Sequence, residues 1–146
     1  MKTFSNFKAN KDIKPIKDVL DTLVIAQESG DINAFSKCFY KGNNITNIGT
    51  DIDEIWHDWE SFYSSIKPAL SSNSNYTIAT KDTHINLSKN KDVAWYYQLL
   101  DTSIETKGEQ QRLEGFRHTG VLEKINNSWQ IVQSHVSLPD NNFRQA

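Results

Sequence analysis

From Tyr76 to Leu138 the sequence alternates apolar and polar residues with a period of two. This alternation is typical of β-strands, in which successive side chains point to opposite faces. Turn-forming residues divide the stretch, with Lys107-Gly108-Glu109 at one hairpin and Asn126-Asn127 at a tighter one. The pattern predicts four antiparallel strands, over residues 76–87, 93–104, 112–125 and 128–138.

The first half of the chain has helical spacing instead. An apolar stripe from Ile16 to Val24 predicts a first helix over about residues 14–28, with Pro15 in its first turn. Asp31 is expected to cap a short second helix. An aromatic stripe predicts a third helix from about Asp53 to Leu70, after a short strand from Asn44 to Ile48. Helices followed by a meander predict an α+β domain, with the helices packed on one face of a curved sheet.

Length predicts a single domain, because 146 residues can bury one hydrophobic core without further support. Residues 1–12 are polar and are expected to form a flexible N-terminal arm. The domain is expected to span residues 13–138, with a tail over residues 139–146.

Composition excludes several classes of function. The formal net charge is −2, so no basic surface is expected to recruit nucleic acid. Cys38 is the one cysteine, which excludes an intramolecular disulfide and a cysteine-based zinc cluster. No cofactor and no metal are expected, since the sequence has no Gly-rich phosphate loop and His57 and Asp58 point apart as helix neighbours. No segment has the length of a signal peptide or a membrane span, which predicts a cytoplasmic protein without a membrane partner.

Arg117 and His135 are the sharpest candidates for a binding site, because each interrupts an otherwise apolar strand. A buried Arg or His must be paired or must face a ligand. Facing a ligand, the two would recognise an anion or a carbonyl group at the floor of a pocket. The alternative is structural: Arg117 would pair with Glu114, Asp101 or Glu60, and His135 would bind a backbone carbonyl.

Aromatic residues are the second group of candidates. Trp56, Trp59 and Tyr97 combine apolar rings with polar tips, which suits a semi-polar pocket. An aromatic stripe on a helix is also typical of a core, so we expect one of the two Trp residues to close the pocket and the other to lie in the core. His118 is expected at the rim or at an interface.

Three segments of the chain carry a resemblance to a known family. They are Gly49-Thr50-Asp51 before the aromatic helix with Trp56, then Arg117-His118-Thr119-Gly120-Val121, and the closing run from Ser128 to Ser137. In these segments the chain resembles the SnoaL-like branch of the nuclear transport factor 2-like superfamily, also called the ketosteroid-isomerase-like or cystatin-like cone fold. The resemblance implies a bent sheet wrapped around a long N-terminal helix, an interior pocket, and an outer sheet face that often forms a homodimer.

The leading hypothesis is therefore a protein that binds a small, partly apolar molecule inside the cone, with anions among the candidate ligands. The predicted ligand-binding residues are Trp56, Trp59, Tyr97, Arg117 and His135. A second hypothesis is a dimerisation or assembly domain that uses the outer sheet face, with outward rows formed by Tyr96, Gln98 and Leu100 and by Phe116 and His118.

A third hypothesis is an enzyme of the lyase, isomerase or hydrolase kind. It would use His135 as the acid or base, with Arg117 or Tyr97 holding the developing charge. Ketosteroid isomerase chemistry needs an Asp base and a protonated acid in the pocket. The closing strand has Gln133 and Ser134 where a matching Asp would stand, so isomerase activity is not expected.

Overall fold

The computed structural model describes residues 2–72 and 75–140, with side chains from residue 11 onward. In chain order the elements are α1 (Lys2–Ser29), α2 (Ile32–Lys37), β1 (Thr46–Ile48), β2 (Ile55–Trp56), α3 (Trp59–Ser72), β3 (Tyr76–Leu87), β4 (Val93–Thr106), β5 (Glu109–Ile125) and β6 (Ser128–Ser137). The strands form one six-stranded sheet in the order β2-β1-β6-β5-β4-β3. β1 runs parallel to β6, and the other neighbouring pairs are antiparallel. The predicted α+β architecture is confirmed.

The predicted meander agrees with the structure to within a few residues. β3 and the start of β6 lie where the alternation placed them, whereas β4 and β5 extend two and three residues further into their shared hairpin. The hairpin between β5 and β6 turns at Asn126 and Asn127, both of which have positive φ angles. Asn tolerates this left-handed backbone because its short polar side chain can bond locally.

The start of the first helix differs from the prediction. α1 begins at Lys2, so residues 2–12 of the expected arm are helical, and Pro15 lies inside the helix. An ion pair joins this part of α1 to the turn between β3 and β4, where Lys91 Nζ lies 2.9 Å from Asp12 Oδ2. Most of the expected tail, residues 141–146, lies outside the described part of the chain.

The third helix also begins later than predicted, at Trp59. Asp58 caps it, since its carboxylate accepts a 2.8 Å hydrogen bond from the backbone N–H of Ser61. Ile55 and Trp56 instead form β2, which pairs with β1. Helical spacing could not reveal this, because two residues of strand are too short to show a period. None of the described helices combines the length and the apolar character needed to cross a membrane.

The core lies between α1 and the inner face of the sheet. Ile16 and Leu20 on α1 and Leu122 and Ile131 on the sheet have no exposed surface. These side chains belong to one continuous cluster of buried residues, which also takes in Cys38. Burial raises the pKa of the Cys38 thiol to about 11, so this residue is a buried, protonated thiol.

A β-bulge in β6 decides which side chains of that strand face inward. Val121 pairs with Gln133 and Leu122 pairs with Ile131, so Val132 is an extra residue on β6. An extra residue shifts the alternation by one position. Ile131 therefore faces the core before the bulge, and Ser134 is the buried residue beyond it.

Beyond the bulge, one inner row crosses all six strands. The register links Ile85, Tyr96, Gly120, Ser134, Asn47 and Trp56. Gly120 is the narrow point of this row, because a Cβ there would collide with the carbonyl oxygen of Gln133 and lie 2.6 Å from the Tyr96 hydroxyl. The missing side chain leaves the space through which Tyr96 extends.

Replacing Gly120 by Ala should therefore destabilise the fold. We expect Gly120→Ala to lower the free energy of unfolding by about 1–3 kcal/mol, the usual cost of overpacking. Thr119→Ala is the matched control, since Thr119 is the exposed neighbour on the same strand. Urea unfolding of both variants measures the effect, and equal midpoints would show that the inner row has room to spare.

Candidate functional site

A partly enclosed cavity of about 190 Å³ lies between the helices and the inner face of the sheet. Its lining draws on all three helices and all six strands. Most of the lining is apolar, including the aromatic rings Phe35, Phe39, Trp56, Phe62 and Phe116. Ligand sites in proteins commonly combine such an apolar wall with a few well-placed polar groups.

Asn47 and Ser134 form the first polar group on the wall. Asn47 is 1% exposed and Ser134 is buried beside it, on the neighbouring parallel strand. The Ser134 hydroxyl donates a 2.5 Å hydrogen bond to Asn47 Oδ1. Among the buried side-chain atoms that the structure describes, Asn47 Nδ2 is the one without a hydrogen-bond partner. The amide is therefore held by its oxygen while its donor remains unused.

His118 and Tyr96 form the second polar group. The Tyr96 hydroxyl and His118 Nε2 are 3.0 Å apart, and both side chains are buried. Burial lowers the pKa of His118 to about 4 and raises that of Tyr96. Both groups are therefore neutral at pH 7, and His118 itself lines the cavity.

Four further polar side chains contribute to the lining: Gln27, Glu54, Tyr76 and Thr102. Burial raises the pKa of the Tyr76 phenol, and the neighbouring Thr102 side chain opposes this by a smaller amount. Glu54 comes from the loop before β2, and its Oε1 accepts a 2.9 Å hydrogen bond from the backbone N–H of Asp51. Of the described residues around the cavity, Glu54 is the one that carries a formal charge at pH 7.

Arg117, His135 and Tyr97 lie on the outer face of the sheet. None of the three is among the residues that line the interior cavity, and all three side chains are exposed. The Arg117 guanidinium donates a 3.2 Å hydrogen bond to the Ser137 hydroxyl, and the Tyr97 ring stacks on His84 with centroids 4.7 Å apart. The expectation that these residues face the interior is wrong. For His135 the reason is the bulge at Val132. Arg117 and Tyr97 belong to rows of alternating residues that we expected on the inner face and that lie on the outer one.

The rows expected on the outside are correspondingly inside. Tyr96, Gln98, Leu100 and His118 are buried, and Phe116 lines the cavity. The outer rows contain their neighbours along β4 and β5, such as Trp95 and Tyr97. Strict alternation separated the two rows correctly but assigned them to the wrong faces.

The two Trp residues have different surroundings. Trp56 lines the cavity, and its indole N–H donates a 3.1 Å hydrogen bond to the Ser65 hydroxyl. Trp59 instead packs against core aromatics, with ring centroids 5.9 Å from both Phe39 and Phe62. Contact of either Trp with a ligand stays a prediction.

Sequence reasoning missed three features of the site: Asn47, Ser134 and the inward orientation of His118. Asn47 lies in a three-residue strand whose neighbours give no periodic signal. Ser134 would have been found only by recognising the bulge at Val132. His118 had a usable signal, because it is a polar residue in a row that otherwise contains Phe116 and Leu122.

This arrangement can hold an uncharged molecule through apolar contact and neutral hydrogen bonds. Among the described residues, no group of three or more His, Cys, Asp or Glu side chains is placed to hold a metal ion. The hypothesis of an enzyme that uses His135 requires two of His135, Arg117 and Tyr97 around one small volume. The cavity does not supply that volume, since none of the three lines it.

The burial of His118 predicts a pH dependence of stability. As the pH falls, the unfolded chain takes up a proton near the ordinary pKa of 6.5, whereas folded His118 resists protonation until about pH 4. The contribution of neutral His118 to the free energy of unfolding is therefore complete above pH 6.5 and is lost as the pH falls towards 4. From pH 7 to pH 5 this amounts to a loss of about 2 kcal/mol.

Urea unfolding of the wild type and of His118→Gln at both pH values measures this loss. The variant should lose less stability than the wild type on acidification, whatever its absolute stability. Equal losses would mean that His118 titrates alike in the folded and unfolded chain.

Comparison with known proteins agrees with this geometry. The fold is similar to a candidate dehydratase of the nuclear transport factor 2-like family from Streptomyces avermitilis, with a TM-score of 0.78, 11% identity, and coverage of 89% of this chain and 97% of that one. A nuclear transport factor 2-like superfamily protein from Salmonella enterica aligns with a TM-score of 0.77, 17% identity, and coverage of 90% and 94%. A candidate calcium/calmodulin-dependent protein kinase II association domain from Xanthomonas campestris aligns with a TM-score of 0.70, 18% identity, and coverage of 85% of each chain.

At these identities the likeness concerns the fold alone. No curated protein sequence matches the chain. The model of the SnoaL-like domain, however, matches residues 16–141, which is most of the chain. The match over residues 16–141 leads to one conclusion, with which the curved sheet and the interior cavity agree: the chain belongs to the SnoaL-like family, and its fold is similar to that of nuclear transport factor 2-like proteins.

Proposed function

We propose that the protein binds a small, uncharged and largely apolar molecule in the interior cavity. The observation that carries the proposal is the composition of the cavity wall, where apolar and aromatic side chains surround the neutral polar groups of Asn47, Ser134 and His118. The volume is adequate for a small ring compound, because an apolar cavity of about 150 Å³ can accept benzene.

The charges around the cavity favour an uncharged ligand over the anion that the sequence suggested. No Lys or Arg is among the described residues that line the cavity. His118 is neutral at pH 7, and Glu54 would repel a second negative charge. Burying an anion without a cationic partner costs several kcal/mol, and contacts with the apolar wall cannot offset this cost.

A thermal-shift screen tests the proposal with uncharged lactones and phenols beside small carboxylates. Ligands that bind only the folded state raise the melting temperature by mass action. We expect shifts from the uncharged compounds, retained in Arg117→Ala and His135→Ala because these residues lie on the outer face.

Val136→Phe is the matched blocking variant, since Val136 lines the cavity and the larger Phe side chain would fill it. This variant should fold and lose the shifts. Shifts from carboxylates alone, or shifts lost in Arg117→Ala but kept in Val136→Phe, would place binding outside the cavity and contradict the proposal.

Dimerisation through the outer sheet face is a second candidate function, compatible with the first. Trp95 is 46% exposed and Tyr97 is 39% exposed, and both lie on this face of β4. Large aromatic side chains are enriched at protein interfaces, and patches of exposed apolar surface often mark such interfaces. Solved structures of this fold include candidate association domains, which supports assembly as a use of the architecture.

The occupant we propose for this face is a second copy of the same chain. In a two-fold interface each residue near the axis meets its own copy, so like charges at the centre would repel. The outer row around Tyr97 contains His84, Thr119 and His135, and the next row contains Val121 and Gln133 beside Trp95. Neither of these rows on β4, β5 and β6 contains a carboxylate, a Lys or an Arg.

Trp95→Arg tests this interface. It should convert a dimer into a monomer, because two cationic side chains would face each other across the axis. Ile25→Arg is the control, as Ile25 is 62% exposed on α1, which packs against the opposite face of the sheet. Sedimentation velocity gives the mass of each, and a monomeric wild type at micromolar concentration would end the proposal.

A further inference from the structure

Asn47 presents a hydrogen-bond donor that the fold leaves unused. Its side chain is 1% exposed, yet Nδ2 has no partner among the described residues. An unpartnered buried polar group costs about 1–3 kcal/mol, so such groups are rare in folded proteins and call for an explanation. Because Asn47 lines the cavity, the donor is available to a molecule that enters it.

The surrounding structure fixes the direction of this donor. The Ser134 hydroxyl donates to Asn47 Oδ1, which leaves Nδ2 as the free end of the amide. β1 lies between β2 and β6 in the sheet, with Asn47 opposite Trp56 on one side and Ser134 on the other. A donor held in this way loses little conformational freedom when a ligand binds.

The chemistry of the wall selects the kind of acceptor. A charged acceptor is disfavoured, because no cation lines the described part of the cavity. A hydroxyl group would bring its own proton and would need an acceptor as well, and Asn47 Oδ1 already receives the Ser134 proton. A carbonyl oxygen accepts without donating, so it satisfies Asn47 Nδ2 and leaves no new group unpaired.

We propose that Asn47 Nδ2 donates a hydrogen bond to the carbonyl oxygen of the ligand, so that the cavity selects small uncharged ketones, esters or lactones over hydrocarbons of the same shape. This inference rests on the proposed binding function. It adds the acceptor class and the residue that recognises it.

The test uses acetophenone and ethylbenzene, which are similar in size and shape and differ in the carbonyl oxygen. Isothermal titration calorimetry measures both with the wild type, Asn47→Leu and Ser134→Ala. A neutral hydrogen bond contributes about 0.5–1.5 kcal/mol, so the wild type should prefer acetophenone by up to about tenfold.

Asn47→Leu should keep ethylbenzene binding and lose the preference, since Leu has similar size and no donor. Ser134→Ala should reduce the preference, because the amide is then free to turn. The wild type alone gives a further readout that needs no variant: the Asn47 side-chain NH₂ signals in ¹H–¹⁵N spectra should move more with acetophenone than with ethylbenzene.

The outcomes separate the two proposals. If neither compound binds the wild type, the proposed binding function is wrong for molecules of this size and class. If both bind equally, or if Asn47→Leu retains the preference, the cavity binds ligands but Asn47 does not recognise a carbonyl. Equal binding is also the result expected if a bound water keeps the Asn47 donor occupied.

Discussion

The extra residue in β6 is the constraint on which the rest of the site depends. Val132 has no partner on β5, because Val121 and Leu122 pair with Gln133 and Ile131. The bulge divides β6 into a part that faces the core, with Trp129 and Ile131 buried, and a part that faces the cavity. β1 pairs in parallel with the second part, so the position of Asn47 follows from that of Ser134. A local irregularity in one strand therefore sets the polar wall of the cavity.

Further irregularities bend the same sheet at its other end. The β3–β4 register shifts at Lys81, and the β4–β5 register shifts beside Asp101 and Gly115. Asp101 accepts a 3.0 Å hydrogen bond from the Gly115 backbone N–H and lies 3.5 Å from Lys81 Nζ. Bulges raise the local twist of a sheet. The cavity exists because a sheet bent in this way cannot pack flat against the helices.

The polar wall lowers the stability that this core could otherwise reach. Burial keeps His118 neutral at a cost in stability that grows as the pH falls below 6.5, and Asn47 keeps a donor that no described side chain satisfies. An apolar residue at either position would avoid these costs, as Leu122 does in the same inner face of β5. Departures from local consistency of this kind are expected where a protein has a functional site.

The alternation of the sequence was sufficient to predict the strands, because a sheet with two unlike faces has a strong period of two. It could not say which row faced inward, because both rows of β4 and β5 contain large side chains: Tyr96 and Leu100 in one, Trp95 and Tyr97 in the other. Nothing in the composition of β6 marks the bulge either. Val132 is a β-branched residue that suits a regular strand, whereas a Gly would have suggested an irregularity.

The helices were harder to delimit, for reasons of a different kind. Pro15 is typical of a first turn, and the polar residues before it carry no apolar stripe, so the length of α1 has no periodic signature. Trp56 matched the helical spacing of Trp59 but is held in β2 by pairing with Asn47. For Trp56, pairing with a neighbouring strand overrides the local pattern.

The two proposed functions use the same strands but different side chains. Arg117 and His118 are neighbours in sequence, yet one lies on the outer face and the other lines the cavity. The same holds for Ser134 and His135 on β6. A second copy on the outer face would therefore leave the polar groups of the cavity wall unchanged.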